Sequence, residues 1–592
     1  MWKHLGHILN PGKHKKQKTC IDRLKVDGRV ESNPQSIAEE LNKYFCSVGE
    51  NLANSLPRPK TKFTDYMKHW IPNSIFLTPI SSLEIIDEIN KLNPRKAAGF
   101  DNFTPKLVQY AADMLVEPLT HIYNLSVQTG VIPDLLKISK VVPIYKKGDR
   151  EEPGNYRPVS LLSVFDKILE KLIHRRLMNF LINNEVLNEN QFGFRSKHST
   201  TLAILELTDT IYRNLDNKQF VVGIYLDLKK AFDTVDHNIL LNKLFTYGIR
   251  GKALEWFRNY LQNRQQYTVI NEYISECKEV KCGVPQGSVL GPLLFLLYVN
   301  DINFAVKEET IKLYADDTNL FMNDSNPERL CERANENLEL LHQWFLANRL
   351  SVSCDKTLFS LFLGNRSQKL DNFKLFMNEV EIKRAKCVKY LGVMLDEELN
   401  WKSHIDFVEN KLLKFSSLFY KIRQKLTPEC RKALYYAMIY PHITYAVELY
   451  GGATDNAINK LQILQNKLLR ILQNQEIRYP VNWLYKNYDT FKIRDLHEIN
   501  LLRLTHKIIF YPSELPRIYQ NYLVLTNQVH DHNTRFKSNI YPHHVKTGFG
   551  VKDFKFKSHQ LWNVLPDELK VNENASQFKN GIRNFYFGKY YI

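Results

Sequence analysis

Two adjacent carboxylates, Asp316 and Asp317, stand between short apolar runs in Ile311-Lys-Leu-Tyr-Ala-Asp-Asp-Thr-Asn-Leu-Phe321. The pattern is that of a β-hairpin with acid at its tip. Neighbouring strand residues point to opposite faces, so a flat strand cannot bury both, whereas a turn can offer one or both to a cation. Upstream, the apolar run Val221-Val-Gly-Ile-Tyr-Leu226 ends on Asp227. Three carboxylates from two strand ends make a donor set for hard divalent ions, which prefer oxygen ligands. A pair of such ions can activate an attacking hydroxyl and steady a leaving phosphate. That is the chemistry of nucleotidyl transfer. An isolated Asp-Asp pair is more often a solvated polar turn, so the order and company of these residues carry the argument.

Their company is specific. Asp227 comes first, then Gly283-Val-Pro-Gln286-Gly287-Ser with Leu290-Gly-Pro292, then Tyr314-Ala-Asp-Asp317. In this order the motifs resemble the reverse transcriptases of non-LTR (LINE-like) retrotransposons, near the Jockey and chicken-repeat branches, from about Ser81 to the region of Gly452. The resemblance implies an α+β right-hand polymerase with fingers, a palm whose antiparallel sheet packs on helices, a helical thumb and a C-terminal extension. It implies two magnesium ions, with manganese as the alternative, held by Asp227, Asp316 and Asp317 and by the backbone carbonyl of Leu228. Phe232, five positions past Asp227, matches an aromatic gate that would collide with a ribose 2′-hydroxyl. Gln286 matches a contact to the incoming nucleotide or template base, and Gly287 would allow close backbone approach. Lys146, or its neighbour Lys147, and Arg157 match the basic residues that grip the triphosphate, Arg being suited to bidentate contact. Lys356 matches a general acid for departing pyrophosphate, although Ser353 stands where Asn is usual. Arg195, in Gln191-Phe-Gly-Phe-Arg195, belongs to a template-facing segment, and Tyr390-Leu391-Gly392 to a hairpin supporting the primer end. Asp233 and Asp236 read as capping or scaffold acids outside the metal shell.

Several elements must position these residues. Asn33-Pro34 opens a helix with apolar positions Ile37, Leu41, Tyr44 and Val48. A second helix carries Ile85, Ile86, Ile89 and Leu92 and stops at Asn93-Pro94. Val141–Tyr145 reads as a strand that turns at Lys146-Lys-Gly-Asp149 and returns through Asn155-Tyr-Arg157-Pro-Val-Ser-Leu161. A helix through Leu169, Leu172, Ile173 and Leu177 follows it. Another is expected from Arg329 to Ala347. From Trp401 the pattern turns helical, with stripes at Ile405, Val408, Leu412 and Phe419 and at Leu461, Leu464 and Leu468. The expected divisions are a leader and helical extension (1–75), fingers and palm (76–398), a thumb-like region (399–478) and an extension of undefined role (479–592).

At 592 residues, Lys+Arg number 81 against Asp+Glu 63, a net charge of +18. Such a charge favours a polyanionic partner, because neutralising phosphates releases counterions. The partners implied by the resemblance are an RNA template, a DNA primer and deoxynucleoside triphosphates. The longest apolar run, Val289–Val299, falls short of the roughly 20 residues that cross a bilayer, so no membrane partner is expected. The eight cysteines form no Cys-x-x-Cys pair, which fits a reduced intracellular protein. Lys13-His-Lys-Lys-Gln-Lys18 suits a nuclear signal, an RNA-contacting arm or a solvated leader, and the expected location is the nucleus, with a cytoplasmic ribonucleoprotein stage. His530 and His532 lack cysteine partners for a zinc site. Relatives of this kind usually carry an N-terminal endonuclease, which is expected here to be absent or supplied elsewhere. Two other readings are a non-catalytic RNA-binding derivative of such an element and a group II intron maturase-like protein.

Overall fold

Phe220-Val-Val-Gly-Ile-Tyr-Leu226 is apolar throughout because both of its faces are covered. Every residue of this strand is buried. Phe220, Val222, Ile224 and Leu226 enter one hydrophobic cluster, while Val221 and Tyr225 enter another on the opposite face. This is the period-2 alternation of a central strand. The computed structural model describes residues 21–26, 28–307, 310–364, 370, 372–529 and 538–590. The basic Lys13–Lys18 run and the pair His530 and His532 lie outside them.

The strand is the third from one edge of a six-stranded sheet. The order is Leu375–Met377, Val380–Arg384, Leu358–Phe362, Phe220–Leu226, Asp317–Asp324 and Thr310–Tyr314. Both neighbours of the central strand run antiparallel to it. The first cluster packs one face of this sheet under Ser82–Asn90, Val164–Asn183, Leu290–Tyr298 and Pro327–Ala347. The second covers the other face with Thr200–Asp216 and then continues through Lys402–Ile422, Asp455–Gln473, Ile493–Phe510 and Ala575–Gly588. The chain is thus mixed helix and sheet. Leu464 and Leu468 share that second cluster with Tyr485 and Leu496, so one core spans residue 479.

A second sheet contains the hairpin expected around residues 141–161. Ile138–Tyr145 pairs antiparallel with Tyr156–Leu161. Its other neighbour is Arg264–Ile270, which runs parallel to it. The Pro34–Asn54 helix lies across this sheet. Its buried Asn42 donates to the carbonyls of Gln266 (3.3 Å) and Glu276 (2.8 Å). Asn33 caps the helix by accepting from the amides of Gln35 and Ser36, as its position before Pro34 predicts.

The C-terminal residues hold the helix beneath the central sheet by its acids. Asp216 accepts from the amides of Lys546 and Thr547. Asp209 accepts from the Tyr522 hydroxyl (2.6 Å) and the Phe554 amide (3.1 Å).

Candidate active site

Strand register brings the acids together. Thr318 pairs with Leu226, and one further step along the same ladder sets Asp317 opposite Asp227. On the other side the ladder ends where Leu358 pairs with Tyr225, and a turn through Ser353–Thr357 brings Lys356 back to Asp227. The Lys356 ammonium lies 3.4 Å from an Asp227 carboxylate oxygen. Backbone bonds lock the approach: Lys229 N–H donates to Ser351 O and Ser353 N–H to Asp227 O, both at 2.8 Å. Lys356 and Thr357 amides then donate to Ser353 O. Residue 353 thus acts through its main chain, so Ser in place of Asn leaves the lysine in position. Leu228 bridges Val352, and that bridge draws on the Asp227 carbonyl and the Lys229 amide rather than on the Leu228 carbonyl.

The Asp pair straddles the end of a two-residue turn, with Ala315-Asp316 at the tip and Asp317 paired to Tyr314 as the first residue of the returning strand. Burial, with repulsion from Asp227 added, raises the Asp316 carboxyl, against the opposing fields of Arg157 and Lys146. Burial, then repulsion from Asp316 and Asp227, pushes Asp317 up to about 6. Like charges held this close disfavour joint ionisation. The side chain of Asp317 still reaches solvent, so this cost is screened.

Opposite the acids stands the tip of the second sheet. Arg157 pairs with Ile144, and the Lys146 amide continues the ladder to Asn155 O at 3.0 Å. Directly opposed residues share a face and so do residues two apart, which puts Lys146 and Arg157 on one exposed face. Burial, and then Arg157 and Lys147, lower the Lys146 ammonium, while Asp227 opposes them. The Lys146 charge in turn acts to lower both Asp316 and Asp317. Lys230 joins the two sheets, its ammonium donating to the carbonyls of Gly154 (3.1 Å) and Tyr156 (3.2 Å).

The remaining predicted residues divide. Phe232 is partly buried, stacked on Phe295 at 4.6 Å and edge-on to Phe194 at 6.2 Å. Gln286 donates to Asp233 at 2.8 Å, and burial pushes that carboxyl up to about 6. Asp236 caps the His237–Thr246 helix as expected. The close approach at Gly287 is to the protein's own strand: a Cβ there would stand 2.4 Å from Ser160 O. Arg195 is half-buried and donates to Asn188 O within its own loop at 2.7 Å. Tyr390 is 4% exposed and packs on Tyr225, so its ring is a core group. Leu391 and Gly392 form the turn beside it, where Leu391 O accepts from the Tyr445 hydroxyl at 2.5 Å. Sequence reasoning missed Gln191 and Lys230, both of which act across long sequence distances. The glycine after Phe192 was the available signal for the first, and its meaning needed the fold.

The donor chemistry of the three acids fits a hard divalent cation. Among the described residues no three metal-ligating side chains stand in a closed coordinating arrangement, and Asp227 is paired with Lys356 instead. The fit rests on crowded oxygen donors whose mutual repulsion a cation would relieve.

Burial, with that repulsion added, has a measurable consequence. Asp317 sits at about 6 in the folded chain against an ordinary 3.8. The folded protein therefore binds this proton more readily than the unfolded one. The penalty is absent below about pH 4, grows as pH rises, and is complete above about pH 6. Asp317→Asn should raise the melting temperature in chelator at pH 7.5, with the gain vanishing by pH 4. A variant less stable than wild type at pH 7.5 would contradict this.

Residues 144–395 match the family described as reverse transcriptase (RNA-dependent DNA polymerase). The chain therefore carries a reverse transcriptase domain. It is 27% identical over 87% of its length to the RNA-directed DNA polymerase from mobile element jockey of Drosophila melanogaster, covering 58% of that protein. It is 28% identical over 67% of its length to the probable RNA-directed DNA polymerase from transposon BS of the same species, covering 45%. It is 26% identical over 76% of its length to the Pol polyprotein of the type-1 retrotransposable element R1 of Bradysia coprophila, covering 43%. The chain thus spans about half the length of these relatives. No helix among the described residues is long and apolar enough to cross a membrane.

Proposed function

We propose that this chain copies RNA into DNA as the polymerase of a non-LTR retrotransposon, extending a primer end by two-metal nucleotidyl transfer. The observation that carries this reading is the meeting of Asp227, Asp316 and Asp317 beneath the Lys146–Arg157 face, inside a matched reverse transcriptase domain. Two divalent ions, magnesium by preference, would supply an activated primer hydroxyl and charge neutralisation on the phosphates. Asp227 and Asp316 would hold them, with Asp317 as the third acid and the Leu228 carbonyl as a further donor. Lys146 and Arg157 would take the triphosphate, the guanidinium in bidentate fashion. Lys356, 3.4 Å from Asp227, would give a proton to departing pyrophosphate. The net charge of +18 suits template and primer backbones. In an intact element the primer would be a nicked chromosomal end in the nucleus, the nick coming from an endonuclease.

The non-catalytic reading is disfavoured because all three acids are present and adjacent. The test is extension of an oligo(dT) primer on poly(rA). Incorporation of dTTP should depend on added magnesium and stop with chelator. Absence of synthesis under these conditions from folded, RNA-binding protein would overturn the reading.

A further inference from the structure

We propose that Gln191 is the residue that keeps the acidic turn in its working shape, a positioning role that rests on the polymerase reading above. Ala315, the first residue of the two-residue turn, has φ +57°. An L-residue other than Gly, Asn or Asp seldom adopts this conformation unaided, so something must hold it. Gln191 is 2% exposed and aims its side chain at this peptide. Its Oε1 accepts from the Ala315 amide (2.9 Å) and from the Gly193 amide (2.8 Å), and its Nε2 lies 3.5 Å from Ala315 O.

The backbone around Gln191 is moored to the same hairpin. The Phe192 amide donates to Leu313 O at 2.8 Å, and the Leu313 amide to Asn190 O at 2.9 Å. Gly193 presses on the turn so closely that a Cβ would stand 2.3 Å from Ala315 N. Arg195 ties the far end of the segment back to Asn188 O. Phe194, between these contacts, meets the edge of Phe232. Residues 188–195 therefore form a clamp with the acid turn on one side and the gate ring on the other.

The role is specific because of what is held. Ala315 immediately precedes Asp316, so a change at its peptide displaces both acids, while the strands on either side keep their ladders. Displacements of about 1 Å at reacting groups cost roughly 10²-fold in rate, and supporting contacts to metal ligands are worth roughly 10–100-fold. Gln191 touches no substrate in this scheme, so its effect should fall on turnover rather than on nucleotide affinity.

The experiment uses the full chain with Gln191→Leu, Ala315→Gly and the double variant. Leu approximates the size of Gln but leaves the Gly193 and Ala315 amides without their acceptor. On poly(rA)/oligo(dT), Gln191→Leu should lower kcat for dTTP roughly 10–100-fold with KM within about twofold. Ala315→Gly should restore part of that loss, because Gly adopts positive φ without help. Hydrogen exchange of a peptide covering residues 313–319 should speed up in Gln191→Leu while other peptides stay unchanged. Unaltered kcat, a loss in KM alone, or a loss that Ala315→Gly does not relieve would each overturn the proposal. So would unchanged exchange in that peptide. If wild type makes no DNA on RNA, the polymerase reading fails by itself, and the exchange measurement still decides whether Gln191 holds the turn.

Discussion

Asp316→Asn will cut RNA-templated dTTP incorporation by at least about 10²–10³-fold, on the order seen when a single electrostatic group aimed at developing charge is removed. The substitution is nearly isosteric and keeps oxygen and nitrogen at the tip of the turn. What it removes is one of three negative charges facing the Lys146–Arg157 side chains. A neutral amide is a poor ligand for a hard divalent cation. The fold should not suffer. Burial and the Asp227 charge already raise the Asp316 carboxyl, so neutralising it relieves repulsion, including part of the pressure on Asp317. RNA binding should survive as well, because it draws on a basic surface and counterion release rather than on the acids. The decisive comparison is therefore threefold: primer extension, melting temperature in chelator, and RNA affinity at fixed salt. Loss of synthesis with the other two within about twofold or slightly improved places the acid in catalysis. Equal synthesis by both proteins would remove Asp316 from the metal site and take the two-ion scheme with it.

How far this site could be read from residues alone depended on whether its contacts were local. The Asp316-Asp317 hairpin announced itself through apolar runs on either side of an acid pair, and its strands end at Tyr314 and begin at Asp317. The hairpin at 138–161 and the cap at Asn33 were readable for the same reason: alternation and capping are written within a few residues. Register across the central sheet was not. That Asp317 and Lys356 come beside Asp227 depends on ladders ending at the Thr318–Leu226 and Leu358–Tyr225 pairs, and on a turn anchored by Ser353, with segments about 90 and 130 residues away in the chain. Arg264–Ile270 begins Arg-Gln-Gln and offered no strand signal, yet it pairs in parallel with Ile138–Tyr145. An aromatic at a strand end such as Tyr390 can face a ligand or the core. Only the packing of Tyr225 beside it decides for the core. Arg195 shows a related limit, since its bond to Asn188 O within its own loop could not be read from the motif alone. Gln191 is the extreme case: its partner Ala315 lies 124 residues on, and no pattern in its neighbourhood names it.

Phe232→Val should raise ribonucleotide use relative to deoxynucleotide use by roughly 10–200-fold, the range over which a small steric difference in a pocket discriminates. The ring is well braced for such a task. One face stacks on Phe295 at 4.6 Å, and Phe295 is itself fully buried in the Leu290–Tyr298 helix. Phe194 meets it edge-on, and the Val284 amide donates to the Phe232 carbonyl at 2.9 Å. A ring fixed on these sides cannot swing away from an added 2′-hydroxyl, so the clash must be met by the nucleotide. Removing the ring also leaves a void beside Phe295 and should lower stability by about 1–3 kcal/mol. General damage must therefore be separated from lost selectivity. General damage lowers kcat/KM for both sugars together, whereas loss of the gate raises the ribonucleotide value. Phe232→Tyr keeps the ring and should keep the preference, with the hydroxyl directed toward the open side. Competition between dTTP and UTP on poly(rA), read from product composition, gives the ratio directly. A ratio unchanged in Phe232→Val, from protein that still extends the primer, would show that this ring only packs the core.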